Sequence, residues 1–560
     1  MDKLTHVESG DKSPAYQHLE TSGDVLTRHE ERDLKRGLAQ RHVSMIALAG
    51  AIGTGLFLSL GGSIATGGPL GSLLAYSFIG LIVCAVQFAL GEVSALLPVT
   101  GSFVRHAEAL SDPALGFALG WTIVYGTWLS IPSEISAICV LFGYWTDVNP
   151  SAWIMTFIVL TAIVAFSKIR YFGEIEFVSA LLKILLIVGI ILLGLITALG
   201  GVPGVPRVGF RYWRDPGPFV PYLADGSWGR FLGFWSVLIN AVFSFSGIES
   251  IAMAAAEMRN PRVVIPKACK RVFARVALFY VLAVLVVGMI VPSNDPRLSE
   301  DSGTAATSPF VLATAAARVA AIPHIVNAVV ITSAWSSGNQ ALLSGSRVLY
   351  SLALKGQAPR FFLRTTRWGT PWACAATYVL SSFLAFMALS ASAITVFYWF
   401  VSLVGCGVLI SWSCVLFNHL RLRMAFRKQG IDARRLPWHN AWTRELPICS
   451  SDASVLVRRC PLLLHHHPAD QWLCRVHQGQ LVRLGVYHCL LVSTARGGAD
   501  YRDIGLVAAV FLGWKLIKKT RWVRLADIPL EEILSAMEAL PEEKDERPRG
   551  AVRFISWLWD

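Results

Sequence analysis

Charge is scarce in this sequence: only 16% of its 560 residues are Asp, Glu, Lys or Arg, against about 25% in ordinary soluble chains. With 54% apolar residues, that deficit argues against a surface that faces water throughout and for one that largely meets lipid. The ten cysteines show no paired spacing, so no disulfide framework is expected. Cys84, Cys139 and Cys406 lie inside apolar runs, where cysteine serves as a small packing residue. No Walker phosphate loop is present, which argues against an ATP-driven pump, and no nucleophile–base grouping marks an intramembrane enzyme. The run His465-His466-His467 near Cys460 and Cys474 has no CxxC or HExxH spacing beside it, so no metal and no cofactor is expected. No signal peptide is expected either. Residues 1–41 are polar, with Glu30, Glu31, Arg32 and Asp33 just ahead of the first apolar run. The first span is therefore expected to act as the insertion signal, behind a cytoplasmic N-terminal tail.

What the chain does have is a series of apolar stretches near the 20 or so residues needed to span a bilayer. Ten are read, at 44–66, 70–97, 114–142, 151–167, 175–199, 233–256, 274–292, 322–345, 372–391 and 394–419. With the N-terminal tail inside, the inner loops hold Arg105 and His106; Lys168 and Arg170; the Arg259–Arg275 cluster; Lys355, Arg360, Arg364 and Arg367; and the Arg421–Arg435 cluster. The outer loops at 147–150 and 293–308 are acidic instead, with Asp147, Asp295, Glu300 and Asp301. This alternation follows the positive-inside rule. The exception is 200–232, with Arg207, Arg211, Arg214 and Arg230, whose Pro and Gly content predicts an ordered extracellular cap. The formal charge of +13 thus suits anionic inner-leaflet lipid rather than nucleic acid. The fold class expected is an all-α polytopic membrane protein.

Two of the spans are broken by small residues. The first reads Met45-Ile46-Ala47-Leu48-Ala49-Gly50-Ala51-Ile52-Gly53-Thr54-Gly55-Leu56-Phe57-Leu58, and the sixth holds Phe243-Ser244-Phe245-Ser246-Gly247-Ile248-Glu249. Glycine within a span lowers helix propensity, and backbone groups freed in hydrocarbon survive only against protein or a watery cavity. Broken helices at corresponding positions of two halves of a bundle point to a transporter's substrate site. Free N–H groups after one break suit a carboxylate; carbonyls freed at the other suit an ammonium. A ligand carrying both charges is an α-amino acid. The alternative is that Gly53 and Gly55 simply let two helices pack closely.

Ionisable residues inside spans are costly and usually functional. Lys183, in Leu181-Leu182-Lys183-Ile184-Leu185-Leu186, lies too deep to snorkel and is a candidate for binding and releasing a proton; the alternative is a lysine held permanently charged against carbonyls. Glu249 sits at the second break and is a substrate-site candidate. Glu257, at the inner helix end, is a candidate partner for an arginine. Glu92 and Glu134, the latter after Ile131-Pro132-Ser133, are further intramembrane carboxylates, functional or structural.

The run Leu34-Lys35-Arg36-Gly37-Leu38, Gln40-Arg41-His42 and Gly50-Ala51-Ile52-Gly53-Thr54-Gly55-Leu56-Phe57 resembles the opening of yeast-type amino-acid permeases, of the amino acid–polyamine–organocation superfamily. Further matches are Gly91-Glu92, Pro98-Val99-Thr100-Gly101-Ser102-Phe103, the segment Phe243–Glu249, Asn260-Pro261-Arg262 with Ile265-Pro266, and Thr332-Ser333-Ala334 with Asn339. The resemblance runs from about 34 to 443 and returns near 505. It implies an inverted five-plus-five helix repeat with broken helices 1 and 6 and two further helices, working by alternating access. It implies that Gly53, Thr54 and Gly55 bind the substrate carboxylate. The carbonyls of Phe243, Ser244 and Ser246, beside Gly247 and Glu249, would face the ammonium, with the Phe243 ring as a gate. A lysine matching Lys183 stands where sodium-coupled relatives bind an ion, which supports proton coupling. The function it implies is import of L-amino acids across the plasma membrane by proton symport, driven by the proton gradient without a cofactor. The competing function is a non-transporting amino-acid sensor on the same scaffold. Expected partners are the amino acid, protons and membrane lipid, with trafficking and ubiquitination machinery at the cytoplasmic tails, where Lys3, Lys12, Ser9 and Ser13 lie.

The chain departs from that pattern after Pro437-Trp438-His439-Asn440-Ala441-Trp442-Thr443. Where helix 11 and the start of helix 12 belong, residues 444–504 carry seven arginines, five acids, five of the thirteen histidines and four of the ten cysteines. Such a segment cannot cross hydrocarbon unaided. One nucleotide string permitted for Leu464 through Leu490, read one base later, encodes SIITPLTNGFAVFTKGNWSASGFITAY, which resembles the end of helix 11, its loop and the start of helix 12. Residues 444–504 are therefore read as a frameshifted or mis-spliced region; the competing reading is a genuine divergent loop. The organisation expected is a tail at 1–41, a transport core of ten helices at 42–443, the anomalous segment at 444–504, a helix 12 remnant at 505–520 and a cytoplasmic tail at 521–560.

Overall fold

Long apolar runs in a chain that must satisfy every backbone group internally become helices, and helices make up nearly all of the regular structure. The computed structural model describes residues 52–99, 101–203, 206–253, 261–298, 310, 312, 321–366, 368–390, 392–432, 435–436 and 500–538. The expectations for residues 1–41, Glu257, the segment at 444–499 and the tail at 539–560 lie outside the described residues. In chain order the helices are α1 (Thr54–Phe57), α2 (Ser59–Leu96), α3 (Phe103–Leu110), α4 (Pro113–Phe142), α5 (Pro150–Ala165), α6 (Ile169–Leu199) and α7 (Arg211–Arg214). They continue with α8 (Gly226–Ser244), α9 (Ser250–Met253), α10 (Pro261–Ile290), α11 (Ala321–Leu354), α12 (Trp372–Ser381), α13 (Ala393–Gln429), α14 (Asp500–Lys518) and α15 (Leu530–Glu538). No strand occurs among the described residues. The chain is an all-α, multi-pass membrane protein.

Local chemistry places the helix ends. Asp112 accepts from the Ala114 N–H at 2.8 Å ahead of Pro113, a side-chain cap followed by a proline that needs no donor. Gly200 closes α6 in the left-handed region (φ 84°). Within α2, Gly68 (φ 75°) precedes Pro69 and turns the first span into the second without an intervening loop. A side chain at Gly68 would meet the Pro218 carbonyl oxygen at 2.7 Å. That contact seats the 206–225 segment over the kink, and Trp213 Nε1 ties the same segment to the Gly288 carbonyl at 3.0 Å.

Helix pairing follows the expected repeat. α2 packs most extensively on α10 and α8, and α4 on α11, so the second span lies on the seventh and the third on the eighth. Pairs related in this way form when five spans are repeated in inverted order. The outer faces of α5 and α6 stay apolar, with Ile163 63% and Leu185 60% exposed, as lipid contact requires. A second apolar core at the far end of the bundle joins Val93, Leu97 and Phe426 to Ile528, Leu530 and Leu534. It seats α15 against α2 and α13.

α14 begins at Asp500, five residues before the expected remnant, and packs on α4 through the stacked rings of Phe117 and Trp514, 3.7 Å apart.

Candidate functional site

The two breaks meet. Ile52 and Gly53 are non-helical, and helix resumes at Thr54 with Gly53 extended at its N-cap. α8 ends at Ser244, and Phe245–Glu249 form turns around Gly247 (φ 86°) before α9. A Cβ on Gly55 would lie 2.5 Å from the Ser244 Cα, and one on Gly53 would lie 2.7 Å from the Ser337 Oγ. Close backbone approach thus requires glycine at 55, whereas at Gly53 the near atoms are side-chain atoms of Ser337 and Glu134.

A cavity opens beside this junction. Gly53, Gly55, Phe243, Ser244, Ser246, Gly247 and Glu249 of the predicted site residues line it, together with Glu134. α4, α11 and α13 supply most of the remaining wall, notably Thr122, Thr127, Ser130, Ser337, Gln340 and Ser411, with Phe103 of α3 and Met253 of α9 beside them. Thr54 does not line the cavity; its hydroxyl donates to Glu134 Oε2 at 2.8 Å. Glu249 Oε2 accepts from the Trp412 indole at 3.2 Å. The wall therefore carries two carboxyls, a belt of hydroxyls and, among the described residues, no Lys, Arg or His.

The freed carbonyls already have partners. The Ile52 carbonyl accepts from Ser333 Oγ at 3.2 Å and Ser337 Oγ at 3.4 Å. The Ser244 carbonyl accepts from the Tyr280 phenol at 2.8 Å, and the Phe243 carbonyl from Ser246 Oγ at 2.7 Å. A carbonyl oxygen has two lone pairs; the Ile52 oxygen takes two hydroxyl donors and the Phe243 oxygen also takes the Ser246 N–H at 3.1 Å, whereas the Ser244 oxygen retains capacity for a ligand. The Phe243 ring stands edge-on to Phe397, centroids 6.0 Å apart. Tyr76 Oη and Ser244 Oγ are hydrogen-bonded at 3.0 Å, which fixes the end of α8 to α2.

Lys183 is fully buried behind this wall. Its ammonium donates to Ser337 Oγ at 3.3 Å and couples electrostatically to Glu176 and then to Glu134. The structure thus brings Thr54, Glu134 and Lys183 together around Ser337. It places Glu92 elsewhere: that carboxylate, in the last two turns of α2, pairs with Arg423 Nη2 at 2.6 Å and lies 3.3 Å from His419 Nε2.

Sequence reading missed Glu176, Ser337, Tyr280 and Trp412. For Glu176 a signal existed. It precedes Lys183 by seven residues, two helical turns, and so shares its face. The others look like ordinary core residues, and no local signal marks them.

Comparison with known proteins shows the family. Residues 42–446 match the family model described as amino acid permease. The dicarboxylic amino acid permease of Saccharomyces cerevisiae is 34% identical over 566 residues, covering 95% of this chain and 86% of the relative. The lysine-specific permease of the same yeast is 35% identical over 522 residues, 92% and 82% of the two chains. A proline-specific permease of Emericella nidulans is 42% identical over 410 residues, 72% and 74%. Among solved structures, a nucleobase-cation-symport-1 family transporter aligns with TM-score 0.46 at 14% identity, over 86% of this chain and all of that one (100%). With a matched model spanning most of its length and relatives of this identity, the chain belongs to the amino acid permease family.

Proposed function

We propose that this protein imports L-amino acids across the plasma membrane by proton symport, through alternating access of one central site. The observation that carries the reading is the cavity bounded by both helix breaks, with the Thr54–Glu134 hydrogen bond in its wall and Lys183 directly behind. The extended backbone at Gly53 leaves room for a substrate carboxylate at the start of the resumed helix, where N–H groups and the helix dipole favour an anion. The carbonyls of Ser244 and Ser246, with Glu249 beside them, offer acceptors for the substrate ammonium; the Phe243 carbonyl is taken by the Ser246 hydroxyl and N–H. Lys183 carries the coupled proton; its link to Ser337, which also bonds the Ile52 carbonyl, supports communication between proton and substrate. No cofactor is needed, since the proton gradient supplies the driving force. The positive-inside pattern supports a cytoplasmic location for both termini.

Uptake of labelled amino acids in a permease-deficient host, with and without a proton uncoupler, tests the reading. Concentrative uptake abolished by the uncoupler is expected; uptake that only equilibrates, or that ignores the uncoupler, refutes symport. Lys183→Ala should abolish accumulation, and unchanged accumulation removes Lys183 from the mechanism.

A further inference from the structure

Glu176 is a buried ionisable group with no part in the site described so far. It is fully buried in α6. Its Oε2 accepts from Ser336 Oγ at 2.7 Å, while Oε1 is buried with no hydrogen-bond partner among the described residues. A carboxyl held so is expensive unless a charge compensates it, and the electrostatic partner is Lys183. The two stand on one face of α6, about 10 Å apart along the axis at 1.5 Å per residue. Adjacent residues of α11 hold the two groups: Ser336 Oγ donates to Glu176 and Ser337 Oγ accepts from Lys183. Glu134 reaches the same lysine from the cavity side.

We propose that Glu176 is the exit relay for the coupled proton, taking it from Lys183 and passing it toward the end of α6 that carries Lys168 and Arg170. This rests on the reading of Lys183 as the proton carrier. In the step, the Lys183 N–H bond breaks and a Glu176 O–H bond forms, leaving a neutral amine beside a neutral acid. The acid then gives the proton to water at that end of the helix and returns to carboxylate.

The charge count favours such a relay. Two carboxyls and one amine are neutral overall only when the three share two protons, which leaves one of the three sites open to receive a proton in an interior where net charge is costly. The other helices around α6 supply few competitors. α5 contains no ionisable residue. Those of α11 (His324, Arg347 and Tyr350) lie away from Ser336 toward its two ends. Cys269 and Tyr280 are the ionisable groups among the described side chains of α10. The position also sets a direction. Glu134 lies on the substrate side of Lys183, and Glu176 lies two turns nearer the end of α6 expected to face the cytoplasm.

The test compares Glu176→Gln, Glu176→Asp, Ser336→Ala and Lys183→Ala, each tagged and quantified at the cell surface. Concentrative uptake is measured against exchange of internal for external labelled amino acid, over a series of internal pH values. Glu176→Gln should keep exchange, which needs no net proton release, and lose accumulation by about 100-fold, the lower range for a positioned proton-transfer group. Glu176→Asp should restore part of it. Accumulation by Glu176→Gln at the parental level, with the parental dependence on internal pH, overturns the relay while leaving Lys183 in place. Accumulation unchanged in Lys183→Ala overturns the carrier reading, and the relay with it. If Glu176→Gln fails to reach the surface, Ser336→Ala decides. It leaves the carboxyl in place but removes its hydroxyl donor, so a shifted dependence on internal pH is expected, and an unshifted one overturns the proposal.

Discussion

Gly55 and Ser244 approach so closely that a Cβ on the glycine would lie 2.5 Å from the serine Cα. The obstacle is backbone, and no rotamer change relieves it. Gly55→Ala must push α8 away from the first break, at a cost of about 1–3 kcal/mol for overpacking, and it distorts the cavity both segments line. Uptake should fall by about tenfold or more, since 1.4 kcal/mol is a factor of ten. Gly189→Ala in α6 serves as the control, because a Cβ there meets nothing within 4 Å. Transport assays normalised to surface protein check both; parental uptake by Gly55→Ala contradicts the close approach.

The Thr54 hydroxyl and the Glu134 carboxyl form a buried hydrogen bond of 2.8 Å across the cavity wall. Thr54→Val keeps the side-chain shape and strands the carboxyl. Leaving that buried carboxyl without its donor costs about 1–3 kcal/mol. The expected result is a raised KM for the amino acid with surface expression maintained, whereas Thr54→Ser should transport nearly as the parent does. A KM unchanged in Thr54→Val would place this bond outside substrate recognition.

Much of the site was legible because it breaks a pattern. Gly53, Gly55 and Gly247 stand out in apolar runs, and Lys183 stands out as a charge where hydrocarbon should be. Glu176 escaped notice because it sits at the start of its span beside Glu174, where an acid reads as the polar edge of a helix. Ser336 and Ser337 are small residues in a long helix, with nothing local to show that they hold Glu176 and Lys183. The carbonyl at Ser244 looked free from sequence, and the Tyr280 phenol that bonds it arrives from another helix. Glu92 shows the same limit in reverse. As an acid in a span it ranked with Glu134, yet its partners His419 and Arg423 come from α13, far along the chain. Contacts between distant segments, rather than local propensity, separate the carboxyl that lines the cavity from the one paired away from it.

The Glu92–Arg423 pair is fully sequestered on the carboxylate side, with Arg423 9% exposed. Removing one partner of a buried ion pair costs about 3–5 kcal/mol, because the other charge is left uncompensated. Arg423→Leu should therefore reduce the amount of protein at the cell surface, while Glu92→Gln combined with Arg423→Leu should recover a good part of it. Quantifying surface protein for both singles and the double forms a mutant cycle. Additive losses would show that the two residues do not stabilise the fold as a pair.

The family match ends at residue 446, close to where arginines, histidines and cysteines replace the apolar residues a spanning helix needs. α14 nevertheless packs on α4, with Lys515 bonded to Asp112 and Trp514 stacked on Phe117. A helix docked in this way argues that the chain beyond the segment still belongs to the bundle. A charged side chain at the centre of a membrane helix costs about 2.5–3.5 kcal/mol on insertion scales, so residues 444–499 with their several arginines are not expected to insert as a span. We propose that the reading frame shifts within this segment. Transcripts sequenced across codons 440–510 should show an altered frame or splice junction, and a version carrying SIITPLTNGFAVFTKGNWSASGFITAY in place of Leu464–Leu490 should reach the cell surface in larger amounts. An intact transcript encoding the present residues, together with equal surface expression of both versions, would establish the segment as a genuine loop.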